Sequence, residues 1–317
     1  MKIDVHSHYY PKEYLKEIDK LNIWPSEEFK AVQLGSGEKI TDENIIMSSM
    51  DEAGIDIQVL SLTSPGVVTV KADVGASLSK IVNDDFARLV EKYPDRFRAF
   101  AAIPLQDTER AVEELDRAIE VLGLHGAVVP SNIAGKPIDS PELWPFYERV
   151  MHLDIPIYIH PTIPALKGME GYGLDIIVGW LFDSTLAILR LILSGVLEKF
   201  RELKVILAHL GSTVPYIIER IDMLSKKSSQ PYGTLSNIRE IPSEYFKRIY
   251  VDTVSFYKPA LMCGYATQGP DKLLLGSDYP WGDLKRTVTI IEELNIPEED
   301  KQKIFYKNAA KLLRIKQ

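Results

Sequence analysis

Eight short apolar runs rich in β-branched residues recur along the chain, mostly separated by segments whose apolar positions return every three or four residues. The runs begin at Ile3 (IDVHSHY), Ile55 (IDIQVLSL), Phe97 (FRAFAAIP), His125 (HGAVVPS), Ile155 (IPIYIHPT), Lys204 (KVILAHLG), Ile249 (IYVDTVS) and Leu273 (LLLGSDYP). Helical periodicity fills ENIIMSSMDEAG, the stretch from Val74 to Tyr93, TERAVEELDRAIEVLG and SPELWPFYERVMH, where Ser140 is placed to cap a helix ahead of Pro141. Strands apolar on both faces need helices outside and packed side chains inside. The alternation therefore predicts an α/β fold, a (β/α)8 TIM barrel formed by residues 1–317 as a single domain. A doubly wound open sheet is the alternative, but no glycine-rich phosphate loop follows the first strand.

Two connections are longer than a barrel needs: an insertion after strand 1, from Tyr10 to Thr41, and PTIPALKGMEGYGLDIIVG, from Pro161 to Gly179. Both follow the C-terminal end of a strand, the end at which barrel enzymes build their sites. They are expected to enclose a substrate. For the first, a tolerated surface insertion is the competing reading.

Composition narrows the partners. With a net charge of −8 the chain has no basic footprint for a phosphate backbone, so a small molecule is expected rather than nucleic acid. A single cysteine, Cys263, cannot form an internal disulfide, and no basic and apolar leader is visible at the N-terminus, so a cytoplasmic protein is expected. The stretch from Ile176 to Leu197 has the length of a membrane span, yet Asp183 and Arg190 interrupt it. It reads as a buried or subunit-contact helix without membrane association, and the face from Trp180 onward suits a homodimer as well as internal packing.

The polar residues at strand ends carry the chemistry. His6 and His8 are two apart and project to one face, and two unpartnered buried imidazoles would cost roughly 1–3 kcal/mol each. His160 ends the fifth run, His209 the sixth and Asp278 the eighth, so four of the six histidines fall at barrel-strand positions. Each has a plain reading alone: His160 as a bonded structural residue before proline, His209 as a helix cap, Asp278 as a turn residue in GSDYPWG. Together, on one face of one architecture, they point to one divalent metal ion, with zinc expected and no organic cofactor. His125 and His152 lie apart and are given no chemistry. Tyr9, Tyr10, Trp24, Tyr172 and Trp281 are candidates to line a pocket for a planar substrate or, alternatively, to pack the loops. Asp252, in YVDTVS, is expected to hydrogen-bond a ligand histidine.

The strand-end residues, together with MDEAGIDIQVLS, FDSTLAILRLILSGVLEKFRELKVILAHLGSTVPYIIERID and LLLGSDYPW, resemble the amidohydrolase superfamily. More narrowly the chain is similar to its amidohydrolase 2 branch, which includes the aminocarboxymuconate semialdehyde decarboxylases and related carboxy-lyases. The resemblance runs from His6 to the helix around Asn308. It implies that His6, His8, His160 and Asp278 ligate one zinc or similar ion, and that His209 stands just outside them and moves protons. HGAVVPS contains no lysine to be carbamylated, which argues for a single metal, and the first ligand position holds histidine where aromatic-acid decarboxylases of the branch often carry glutamate. No arginine occurs from Ala31 to Met50, where the aminocarboxymuconate enzymes hold a substrate carboxylate, and Trp180 is displaced in DIIVGW. That substrate is therefore not expected.

The resemblance implies a cofactor-free decarboxylase of a small unsaturated or aromatic carboxylate. The alternative is a metal-dependent hydrolase in which activated hydroxide attacks an amide, lactone or ester, with Asp278 accepting the proton and His209 stabilising charge. A noncatalytic metal-containing binding barrel is the third reading.

Overall fold

The computed structural model describes residues 1–164, 167–169, 171–225 and 237–316. Strand β1 (Ile3–His8) pairs in parallel with β2 (Ile57–Ser61), and β2 with β3 (Phe97–Ala99). The third apolar run breaks at Phe100 into β3 and β4 (Ala101–Ala102), and the break redirects pairing: Phe100 N–H donates to Leu60 O at 2.9 Å, Ala101 N–H to Gly126 O at 2.8 Å. From β4 the parallel ladder continues through β5 (Ala127–Pro130). A small antiparallel hairpin follows, β6 (Asn132–Ile133) with β7 (Lys136–Pro137), which the sequence reading did not anticipate. The ladder then passes to β8 (Pro156–His160), β9 (Lys204–Leu207), β10 (Tyr250–Asp252) and β11 (Leu273–Leu274).

The ring closes between β1 and the chain just beyond β11. Val5 N–H donates to Leu275 O at 2.9 Å, Asp278 N–H to His6 O at 2.8 Å, and His8 N–H to Tyr279 O at 2.8 Å. A buried carboxylate locks this seam: Asp4 accepts from Ser277 N–H at 3.0 Å, Ser277 Oγ at 2.5 Å, Gln58 Nε2 at 2.9 Å and His6 N–H at 3.1 Å. Burial nonetheless pushes Asp4 up to about 6 against those hydrogen bonds, which leaves it charged at neutral pH.

A bulge in β1 decides what faces the barrel axis. Asp4 pairs with Gln58 and Ser7 with Leu60, so Val5 and His6 stand against Val59 alone. Ile3 and Val5 join Val59, Phe100, Tyr158, Ile206 and Leu274 in one buried cluster, and residues from strands all around the ring can meet only inside it. His6 and His8 then sit above that floor. A larger cluster, including Leu60, Val129, Ile159, Leu207 and Val251, lies between the strands and the outer helices.

The insertion after β1 is not an irregular loop. It holds helices Lys12–Lys20 and Glu27–Leu34 and a 3-10 turn, Gly37–Ile40. Tyr14 and Ile18, four apart, bury one face, and Ser26 accepts the Phe29 N–H as N-cap. Tyr10 OH bonds Ser64 O and Tyr14 OH bonds Gly66 O at 2.9 Å, so the insertion is pinned to the loop after β2. The helices expected at 43–54, 74–93 and 108–123 form as Glu43–Ala53, Ala72–Lys92 and Thr108–Asp116, the last running on into a π turn, Arg117–Val121. Ser140 stands where a cap was expected, but its hydroxyl makes no cap bond. Pro141 opens a 3-10 turn, and the helix proper is Trp144–Leu153. Among the described residues one helix, Asp175–Leu193, is long and apolar enough to cross a membrane, with mean hydropathy 1.9, and half of that stretch is buried in the fold. Its Asp183 is buried and accepts from Ser131 Oγ and from Asn132 Nδ2. Ile177, Phe182 and Leu186 remain exposed.

One close approach requires glycine. A Cβ on Gly276 would lie 2.8 Å from Asp252 Cβ and 3.0 Å from His6 Cβ. Gly276→Ala is therefore expected to destabilise the protein by about 1–3 kcal/mol through overpacking, read as a lower Tm in thermal unfolding.

Candidate metal centre

Three histidines of the cluster, His6, His8 and His160, each use one ring nitrogen to fix their orientation, and that leaves the other for an ion. His6 Nδ1–H donates to Asp252 Oδ2 at 2.7 Å. His160 Nδ1–H donates to Pro161 O at 2.9 Å, and its buried Nε2 has no partner at all. Ser61 Oγ gives its proton to Ser7 O at 3.0 Å, so it accepts from His8 Nδ1–H, also at 3.0 Å. These bonds commit Nδ1–H in all three rings, so Nε2 is the atom each turns towards a cation, a proton or a metal ion.

The free atoms converge. His6 Nε2 lies 3.1 Å from His8 Nε2 and 3.2 Å from Asp278 Oδ1, and His8 Nε2 is 3.3 Å from the same oxygen. Ligands 2.0–2.1 Å from a tetrahedral ion sit about 3.3 Å apart, so these edges have the size of one coordination sphere. One ligand atom from each of His6, His160, His209 and Asp278 also lies within 4.8 Å of the others. His209 Nε2 is 3.8 Å from Asp278 Oδ2, and its Nδ1 is buried without a partner. Two imidazole Nε2 atoms at 3.1 Å and an orphaned imidazole nitrogen fit a cation, a proton or a metal ion, between them.

Electrostatics agree with that fit. Burial outweighs all else at His8 and pushes it down to about 4, and burial followed by the neighbouring imidazoles holds His160 well below 6.5. Both are neutral at pH 7, the form that ligates. Burial also opposes charge on His6, but Asp252 and Asp278 overcome it and push that imidazole up to about 10. Asp278 is held well below the usual carboxylate range: burial opposes this, and the charge on His6 with the neighbouring imidazoles of His209 and His8 prevails.

Asp252 also acts on the opposite side of the cluster. It accepts His209 N–H at 3.1 Å, Leu210 N–H at 3.0 Å and Val254 N–H at 3.0 Å. His209, Leu210, Gly211 and Ser212 have φ of 56°, 56°, 75° and 59°, a left-handed run in which each non-glycine residue costs of order 1–2 kcal/mol. The carboxylate pins the backbone that carries His209. Sequence position suggested a bond to a ligand histidine; this second link needed the fold.

The aromatic candidates divide. Trp281 stands at the cluster, its ring 5.4 Å from His8 and its indole N–H 3.5 Å from Val32 O. Tyr9 does not: one residue beyond His8 it faces outward, its ring 6.2 Å from Phe86 and its hydroxyl beside Asp85. Trp24 bonds Asp19 at 2.7 Å within the insertion, and Tyr10 is buried against Tyr14. Tyr172 is 95% exposed on a surface cleft with Phe29 and Val32. Period-two alternation excludes Tyr9 from the barrel side once His8 is inside; for the loop residues only tertiary packing decides. Sequence reasoning passed over Ser61, which orients His8, and Tyr158, whose ring lies 5.4 Å from His6. It treated Trp180, 6.2 Å from His160, only as a displaced family position and part of a dimer face. Ser61 pairs with His8 through strand register, which local sequence does not contain.

A family model described as Amidohydrolase matches residues 3–315. The chain is 34% identical over 282 residues to a gamma-resorcylate decarboxylase of Polaromonas sp., covering 84% of this chain and 85% of that one. It is 31% identical over 331 residues to the 2-amino-3-carboxymuconate-6-semialdehyde decarboxylase of Dictyostelium discoideum, covering 99% and 91%. A crystal structure of a dihydroxybenzoic acid decarboxylase from Polaromonas sp. JS666, with bound manganese and the inhibitor 2-nitroresorcinol, superposes with a TM-score of 0.85. Identity is 28%, over 100% of this chain and 97% of that one.

Two expectations follow. Because His6 holds a proton up to about pH 10 in the metal-free protein, divalent-ion uptake at pH 7–8 should release about one proton, and affinity should rise with pH towards 10, measured by calorimetry in buffers of different ionisation enthalpy. Asp252→Asn should weaken metal affinity about 10–100-fold and, at saturating metal, still lower kcat because the His209 turn is loosened. Full kcat at saturating metal would confine Asp252 to His6.

Proposed function

We propose, from the premise that this chain belongs to the amidohydrolase family whose model matches residues 3–315, that it is a metal-dependent, non-oxidative decarboxylase of a small aromatic or unsaturated carboxylate. The observation that carries this reading is the cluster itself: convergent Nε2 atoms and an Asp278 carboxylate at the C-terminal ends of the strands, with His160 also lining an apolar cavity. The relatives' activity supports the direction, since both curated relatives cited above are decarboxylases.

His6, His8, His160 and Asp278 would hold the ion, for which an imidazole-rich set suits zinc, while the solved relative carries manganese. When bound, the metal supplies Lewis acidity to a substrate oxygen. His209, beside this set with an unpartnered Nδ1, delivers a proton to the carbon that bears the carboxylate. The electrons of the breaking carbon–carbon bond return to the ring or conjugated chain as carbon dioxide leaves, so no oxidant is consumed. Asp278 lies near His6, His8 and His209 together and keeps their relative positions as charge moves.

Purified protein should contain about one equivalent of divalent metal and release carbon dioxide from members of a hydroxybenzoate panel. His160→Ala should lose metal and activity together. His209→Asn should keep the metal and lose about 100-fold or more in kcat. Hydrolysis of amides or lactones with no carbon dioxide from any carboxylate would overturn the reading.

A further inference from the structure

Of the three rings whose Nδ1–H is committed, His6 meets a carboxylate directly and His8 a hydroxyl, while His160 meets the carbonyl of its own neighbour, Pro161, at 2.9 Å. The peptide that carries this carbonyl is held from its other side as well. Its N–H, that of Thr162, donates to Ser131 Oγ at 3.1 Å. The Ser131 hydroxyl has one proton to give, and it goes to the Asp183 carboxylate on the helix Trp180–Leu193. Ser131 N–H also donates to His160 O at 2.9 Å, and Asn132 Nδ2 bridges Asp183 Oδ2 at 2.8 Å and Ile163 O at 3.0 Å. His160, Thr162, Ser131 and Asp183 are all buried, and hydrogen bonds linked in series strengthen one another in such surroundings.

We propose that Asp183 is a positioning residue of the metal centre, acting on His160 through Ser131 and the Pro161–Thr162 peptide. The inference rests on the reading of His160 as a metal ligand. The Asp183 carboxylate polarises the Ser131 O–H, and the more negative Oγ draws on the Thr162 N–H. The same peptide then presents a stronger acceptor at Pro161 O, so the His160 Nδ1–H is held more firmly and Nε2 becomes a better donor to a cation. No proton is transferred along the chain: each donor keeps its own hydrogen. Asp252 acts on His6 across one hydrogen bond, and Asp183 acts on His160 across three. The Asn132 arm holds Ile163 O, which fixes the backbone just beyond that peptide. A mere tie between the helix and the β6–β7 hairpin would use the same atoms but would leave the His160 imidazole unaltered.

The test compares Asp183→Asn, which keeps an oxygen for Ser131 and Asn132 but removes the charge, with Ser131→Ala, which cuts the chain, and Ser131→Thr, which keeps the hydroxyl. Calorimetric titration with manganese ion should show affinity about tenfold lower in Asp183→Asn and about 10–100-fold lower in Ser131→Ala, with Ser131→Thr restoring it. In metal-free protein labelled with heavy nitrogen at histidine, the His160 Nδ1–H proton resonance is identified by its loss in His160→Ala. It should move upfield in Asp183→Asn and Ser131→Ala, because the bond to Pro161 O weakens, and stay in place in Ser131→Thr. Wild-type affinity in both Asp183→Asn and Ser131→Ala, lowered affinity with an unmoved resonance, or no rescue by Ser131→Thr would each overturn the role. Should Asp183→Asn fail to fold, the two Ser131 variants decide alone. Wild-type affinity in His160→Ala would overturn the ligand assignment and the role of Asp183 with it, whereas metal lost there but bound normally by the other variants overturns the role alone.

Discussion

One buried carboxylate organises the site. Asp252, fully enclosed, takes the Nδ1 proton of His6 with one oxygen and backbone amides of the His209 turn with both. Its charge survives burial because of those partners: burial raises a carboxyl group, and His6 and the amides pull Asp252 below the usual range. The consequence is geometric. A histidine on the first strand and a histidine after the ninth are set against one group on the tenth, and Gly276 lets that group approach His6 closely. The left-handed turn at His209 persists because this anchor offsets its strain.

Around that anchor the cluster is arranged for a cation. Three Nδ1–H groups are committed to Asp252, Ser61 and Pro161, so the three Nε2 atoms are the ones left for a cation. Crowding imidazoles and a carboxylate within a few ångströms is unfavourable unless a proton or metal sits among them, and in the metal-free protein the proton rests on His6.

The expected (β/α)8 barrel is the fold that formed, and its legibility followed from local periodicity. All eight apolar runs hold strands near their expected places, because strands covered on both faces must be apolar throughout. The exceptions have particular causes. The run from Phe97 broke at Phe100, where the backbone changes partner from β2 to β5. The connection from Tyr10 to Thr41 folded into two helices, since Tyr14 with Ile18 and the Ser26 cap are helical signals too short to stand out in a segment read as loop. Tyr9 and Trp24 were attractive as aromatics near a strand end, but one faces an outer helix and the other packs within the insertion.

By itself the sequence determined the alternation of strand and helix, the two histidines sharing a face, and the chemical kinds of residue available at the strand ends, because these depend on spacing along a single element. It determined neither that Val5 and His6 would share one partner across the bulge, nor that Ser61 would orient His8, nor that Asp252 would grip His6 and the His209 turn at once. Those relations join residues up to 246 positions apart. They exist only once strand register and ring closure bring the strands together, so only the tertiary structure decided them.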